Sequence, residues 1–162
     1  MRPIAAICSL FCTAAALAAC GGPADVENAG PVAGWPVYGA DDGGSRHSPL
    51  TQITPENVGK LEVAWTYHSG DILDGKTSLA PSAFQNTPIL FGDSLYLCTP
   101  KNRVIAIDPE TGTERWSYDP RANLEGIYTL NCRGVASWVD ARALPGTACA
   151  RRIFTGTLDA RL

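Results

Sequence analysis

Two polar side chains in this chain have the type and setting to hold an anionic or carbonyl-bearing molecule. Gln85 lies in Ala83-Phe84-Gln85-Asn86-Thr87-Pro88, where one planar amide offers both hydrogen-bond donors and an acceptor. Arg133 lies in Asn131-Cys132-Arg133-Gly134-Val135. Its guanidinium is a permanently charged donor fork suited to carboxylates, and the neighbouring glycine lets backbone approach closely. Other chemistry-bearing residues are less informative. Asp71, Asp74 and Asp93 fall in polar, loop-like contexts and are expected to be exposed rather than to act as a base. His47 and His68 are expected to be structural, and no Cys-x-x-Cys spacing points to a metal.

The elements that must position these residues read as β-strands. In the stretch from Ala106 to Trp116, Asp108 opens a turn, Pro109 presets φ at its second position and Gly112 tolerates φ > 0. This predicts a hairpin with a glycine bulge between strands over 103–107 and 114–118. Trp116 then stands on the returning strand, where a large ring with an N–H suits packing against a neighbouring sheet. Strands over 87–91 and 94–99 flank Gly92-Asp93 as a second hairpin, so four consecutive strands with tight turns are expected. A second round starts over 135–139 and continues at 152–155, and 157–162 reads as a turn and the opening of another strand. Upstream, Thr54 is a plausible N-cap before Pro55, giving a helical turn that ends near Gly59. Leu61 to Tyr67 alternates apolar and polar as a strand does, and 71–83 reads as a long surface excursion.

The 162 residues carry 13 Lys and Arg against 16 Asp and Glu, a balance that fits about one globular domain. With only Arg151-Arg152 as a basic pair, no nucleic-acid partner is expected. At the N-terminus, Arg2 precedes an apolar run from Ile4 to Ala19 that is too short to span a bilayer and ends in small residues, as a secretory signal does. Leu17-Ala18-Ala19-Cys20 resembles the lipobox of bacterial lipoproteins. That resemblance implies a signal over 1–19, a lipidated Cys20 and a Gly- and Pro-rich tether over 20–34. The domain then begins at Trp35. Gly21 after the cysteine, rather than Asp, favours the outer membrane of a two-membrane bacterium. Of the six cysteines, Cys98, Cys132 and Cys149 remain in the domain. Outside the cytoplasm a pair can oxidise. We expect Cys132 and Cys149 to pair, because loop-like sequence flanks both, and Cys98 to be a buried small hydrophobe in its strand.

The hairpin pattern Ala106-x-Asp108-x-x-Thr111-Gly112-x-x-x-Trp116 resembles the tryptophan-docking repeat of quinoprotein dehydrogenases. In those β-propellers each blade's tryptophan packs on the next blade. The block from Trp35 resembles the N-terminal signature of the same bacterial family through Trp35, Gly39, Ser48, Pro49, Leu50, Ile53, Asn57, Val58, Leu61, Ala64 and Trp65. His47 and Thr54 depart from it. Asn131 to Val135 and Cys149-x-Arg151-Arg152-Ile153 resemble the glucose, quinate and shikimate branch. Methanol-type relatives instead carry adjacent cysteines near the arginine.

The resemblance implies an all-β chain forming the first blade or blades, over 35–162, of an eight-bladed propeller. One blade and part of a second cannot close a ring, so a longer protein is expected. It also implies pyrroloquinoline quinone (PQQ) as cofactor, with Gln85 reaching it and Arg133 contacting its quinone oxygens. Ca²⁺ and an aspartate base would come from later blades. The activity implied is oxidation of a sugar or cyclic polyol, with electrons passed to ubiquinone or a soluble acceptor and the protein held at a membrane, facing the periplasm, by its lipid anchor. The competing expectation is a non-enzymatic propeller lipoprotein that assists outer-membrane assembly.

Overall fold

The computed structural model describes residues 34–76, 79–144 and 146–162. Cys20, the signal and nearly all of the tether therefore lie outside the described residues. Four antiparallel strands form one sheet in sequence order: β1 (Ile89–Phe91), β2 (Ser94–Cys98), β3 (Val104–Ile107) and β4 (Glu114–Tyr118). A separate two-stranded sheet pairs β5 (Ala136–Val139) with β6 (Arg151–Phe154). No helix among the described residues is long and apolar enough to cross a membrane.

The turn between β3 and β4 folds as its residues dictate. Asp108 Oδ1 accepts from the backbone N–H groups of Glu110 and Thr111, and Gly112 sits at φ 71° where a side chain would be strained. The register shifts between Ala106 and Ile107, which places the expected bulge.

Burial grades across the sheet. β1 and β3 supply Ile89, Ile105 and Ile107, all fully buried, whereas β4 is exposed along its whole length. One face packs Ile89, Phe91, Cys98 and Val104 against Cys132 and Val135, with Tyr96 and Ile153 alongside, so the second sheet closes on the first. The other face packs Leu97, Ile105 and Ile107 under Trp65 and Tyr67. Trp35 bridges to Leu90 beyond the edge of β1, and Ser137 donates to Pro36 O (2.8 Å), which ties both sheets to the start of the domain.

Two expectations are corrected here. Leu61–Tyr67 is extended but pairs with no strand among the described residues; its side chains Trp65 and Tyr67, not its backbone, hold it to the sheet. The helical turn is a 3-10 helix at Val58–Lys60 with Asn57 as its N-cap residue, because Asn57 Oδ1 accepts from Thr54 N–H and closes the preceding turn. Trp116 packs at a tilt against Tyr96 of its own sheet (5.8 Å between centroids, 54° between planes) and stays 42 % exposed. Another tryptophan, Trp65, packs on the β3–β4 turn. A Cβ on Gly112 would lie 2.5 Å from the Trp65 ring, and the indole N–H donates to Pro109 O (3.1 Å).

Candidate functional site

The segment before β1 and the segment before β5 run side by side in parallel, which brings the two sequence-derived site residues to one end of the blade. Leu130 N–H donates to Pro81 O (3.1 Å), Ala83 N–H to Leu130 O (2.9 Å) and Thr87 N–H to Arg133 O (3.1 Å). Gln85 thus lies between two backbone attachments to the strip that carries Arg133. Both side chains are exposed, and neither has a partner among the described residues. An added Cβ on Gly134 would meet Thr87 O at 3.5 Å, ordinary contact, so the chain's own packing does not demand glycine there.

The Arg133 strip is pinned by a disulfide that the sequence reading assigned differently. Cys132 is bonded to Cys98, with 5.8 Å between their Cα atoms, and Cys149 is free and exposed. The physical reason is topological. Cys132 precedes β5 and Cys149 sits in the turn after it, so a strand of about 13 Å separates them, beyond the about 7 Å that a bridge spans. The end of β2, carrying Cys98, meets the strip directly. Asn86, which the sequence reading passed over, donates from Nδ2 to Cys98 Sγ (3.2 Å) while its Oδ1 is buried without a partner. Only burial could have revealed it, and nothing in the local pattern signals that.

The same end of the sheet carries a polar cleft of about 540 Å³ lined by Asp71, Lys101, Arg103, Asp119 and Arg121. Asp71 is buried, not exposed as expected. Lys101 Nζ (3.4 Å) and Arg103 Nη1 (3.3 Å) flank its carboxylate, supplying the charges that make its burial tolerable. Asp74 and Asp93 are exposed as expected; His47 and His68, expected to be structural, are exposed as well. No group of three or more potential metal ligands occurs among the described residues.

The opposite end is electrostatically closed. Arg115 bridges Asp93 (2.7 Å) and Asp108 (2.8 Å), and its guanidinium and the turn N–H groups hold the Asp108 carboxyl at about 2. Nearby, burial and the Glu114 carboxylate, which accepts from its hydroxyl, push the Tyr67 phenol up to about 12.

Compared with known proteins, residues 35–162 match the family model for the glucose/ethanol/alcohol dehydrogenase β-propeller domain of the PQQ type. The chain belongs to that family. It is 42 % identical over 139 residues to the glycerol dehydrogenase large subunit of Gluconobacter oxydans (strain 621H), covering 84 % of this chain and 18 % of that protein. It is 37 % identical to quinoprotein glucose dehydrogenase A of Acinetobacter calcoaceticus, over 79 % of this chain and 17 % of the relative. It is 34 % identical to the quinate/shikimate dehydrogenase (quinone) of Acinetobacter baylyi (strain ATCC 33305 / BD413 / ADP1), over 85 % and 18 %. Among solved structures, a quinohemoprotein alcohol dehydrogenase of Pseudomonas putida HK5 superposes with a TM-score of 0.56 at 29 % identity, covering 78 % of this chain and 16 % of that one. The chain thus spans under a fifth of the length of these relatives.

The residues present fit PQQ, a planar molecule with three carboxylates and an ortho-quinone. A guanidinium and an amide without partners among the described residues lie on adjoining segments at one end of the blade, and the buried acceptor Asn86 Oδ1, next to Gln85 in sequence, has no donor among those residues either.

Proposed function

We propose that the protein to which this chain belongs oxidises a CH–OH group of a sugar or cyclic polyol, of the glucose, quinate or shikimate type, with PQQ as cofactor. The observation that supports this reading is the backbone pairing of the 81–87 and 130–133 segments, which carry Gln85 and Arg133, both exposed and without a side-chain partner among the described residues. PQQ, when bound, supplies the acceptor for the substrate's hydride.

This chain's own part is to bind and orient. Arg133 offers two parallel N–H donors to the cofactor's oxygens, which favours the charge that develops there on reduction. Gln85 offers a donor and an acceptor to the same plane. Neither is a proton carrier, so the base and the Ca²⁺ ligands belong to other blades. Electrons would pass to membrane ubiquinone or a soluble carrier. Cys20 would anchor the periplasm-facing protein by lipid through the 20–34 tether, a reading supported by Leu17-Ala18-Ala19-Cys20 alone.

A non-enzymatic scaffold has no use for an unspent guanidinium beside an unspent amide, and the family match runs against it. The test is dye reduction by the full-length protein supplied with PQQ and Ca²⁺, offering glucose, quinate, shikimate and glycerol in turn. Reduction with a polyol supports the reading; no PQQ binding and no reduction would overturn it.

A further inference from the structure

We propose that the Cys98–Cys132 disulfide, with Asn86 braced against it, is a positioning device for the cofactor-binding arginine. It holds Arg133 in its binding place rather than merely stiffening the fold. This rests on the reading of Arg133 as a PQQ contact.

The side chains of the strip alternate in burial. Leu130, Cys132 and Val135 are buried and Arg133 is exposed. Arg133 therefore stands on a short arch whose inward neighbours decide where it points. Four hydrogen bonds hold this arch: three between backbones, Leu130 N–H to Pro81 O, Ala83 N–H to Leu130 O and Thr87 N–H to Arg133 O (3.1 Å), and one from the Asn102 side-chain Nδ2 to Asn131 O (3.5 Å). The last is long for a hydrogen bond, and although Leu130 and Asn102 are buried, the Thr87 link ends on the exposed Arg133, where water competes for it.

The covalent link to the end of β2, closing a separation of 34 residues, is the one that cannot exchange with water. Asn86 extends the brace, because its Nδ2 donates to Cys98 Sγ and it follows Gln85 directly in the chain. One bridge thus touches both segments that carry the unspent polar groups. The sheet does not depend on it to the same degree, since Ile105 and Ile107 pack on the other face under Trp65.

The experiment uses full-length protein in a Cys149→Ser background, with PQQ binding at saturating Ca²⁺ read by titration. The bridge is opened two ways. One is the pair Cys98→Ala with Cys132→Ala. The other is reduction by dithiothreitol, whose two thiols give two electrons and two protons to the S–S bond, leaving two cysteine thiols and a cyclic disulfide. Opening it is expected to raise the PQQ Kd about tenfold, the cost of ordering the freed arch and its long side chain on binding.

In an Arg133→Ala background the same opening is expected to change the Kd less than twofold, because the device acts through the residue that is gone. Hydrogen exchange is expected to quicken at the Thr87 amide and not at the amides of β2 and β3. If the double alanine variant does not fold, reduction of the natural bridge gives the same comparison. An unchanged Kd, or an equal loss with and without Arg133, overturns the inference and leaves the cofactor reading standing. A wild-type protein that binds no PQQ overturns both.

Discussion

At the hairpin end of the blade the polar groups are spent within the chain. Asp108 accepts from two backbone N–H groups and from Arg115, Arg115 reaches Asp93 as well, and the Trp65 indole N–H is taken by Pro109 O. At the opposite end Gln85 and Arg133 are left unsatisfied while the backbone beneath them is tied down, and Asn86 Oδ1 is buried without a donor. That end also holds Asp71 paired with Lys101 and Arg103, so the contrast rests on Gln85 and Arg133, the two residues that our proposal gives to the cofactor. On that proposal the hairpin end supports the fold and the end bearing Gln85 and Arg133 offers the binding surface.

This contrast can be broken by changes that should separate stability from binding. The largest effect is expected from Gly112→Val, which puts a branched side chain at φ 71° and into the Trp65 ring. We expect a loss of about 3 kcal/mol in denaturant unfolding of the full-length protein, with the PQQ Kd unchanged for the folded fraction. Next, Arg133→Ala should weaken PQQ binding by about 2 kcal/mol, roughly thirtyfold, with unfolding midpoints unmoved, since it removes charge-assisted hydrogen bonds from an exposed residue. A fall in stability with no change in Kd would reverse the roles of the two ends.

The pH dependence sharpens the same comparison. The Asp108 carboxyl is lowered to about 2 from an ordinary 3.8, so its support for the turn is present above pH 4 and lost as pH falls from there towards 2. The Tyr67 phenol is raised to about 12 from 10, so its support is present below pH 10 and lost as pH climbs towards 12. Acid and alkaline unfolding of the Asp108→Asn and Tyr67→Phe variants should therefore flatten in those two windows, and Arg133→Ala should change neither. The smallest effect is expected from Asp93→Ala. Its carboxylate is 83 % exposed, and the ion pair with Arg115 should be worth about 0.5 kcal/mol in unfolding experiments.

How much was legible in the sequence follows the same division between local and non-local signals. The four strands lie within a residue or two of where their alternation and turn residues put them, because Asp108, Pro109, Gly112 and Gly92-Asp93 act through their own backbone. The parallel backbone contact between the 81–87 and 130–133 segments has no local signal in the sequence, because its hydrogen bonds join residues more than forty positions apart. The Cys98–Cys132 bridge was missed because loop composition says nothing of the parallel contact that carries the strip to the end of β2. Asp71 was taken for a solvent carboxylate because its two cationic partners lie about thirty residues downstream, in the turn before β3. Leu61–Tyr67 has strand periodicity, which records that Trp65 and Tyr67 face the sheet but cannot say whether a ladder partner stands beside the backbone.

The most direct measurement is a crystal structure of the full-length protein grown with PQQ. The account predicts the cofactor at the open end of this blade, with the Arg133 guanidinium within about 3 Å of one of its oxygens. PQQ bound with Arg133 turned away into solvent, or seated nearer the Asp108 turn than the 130–134 strip, would contradict it.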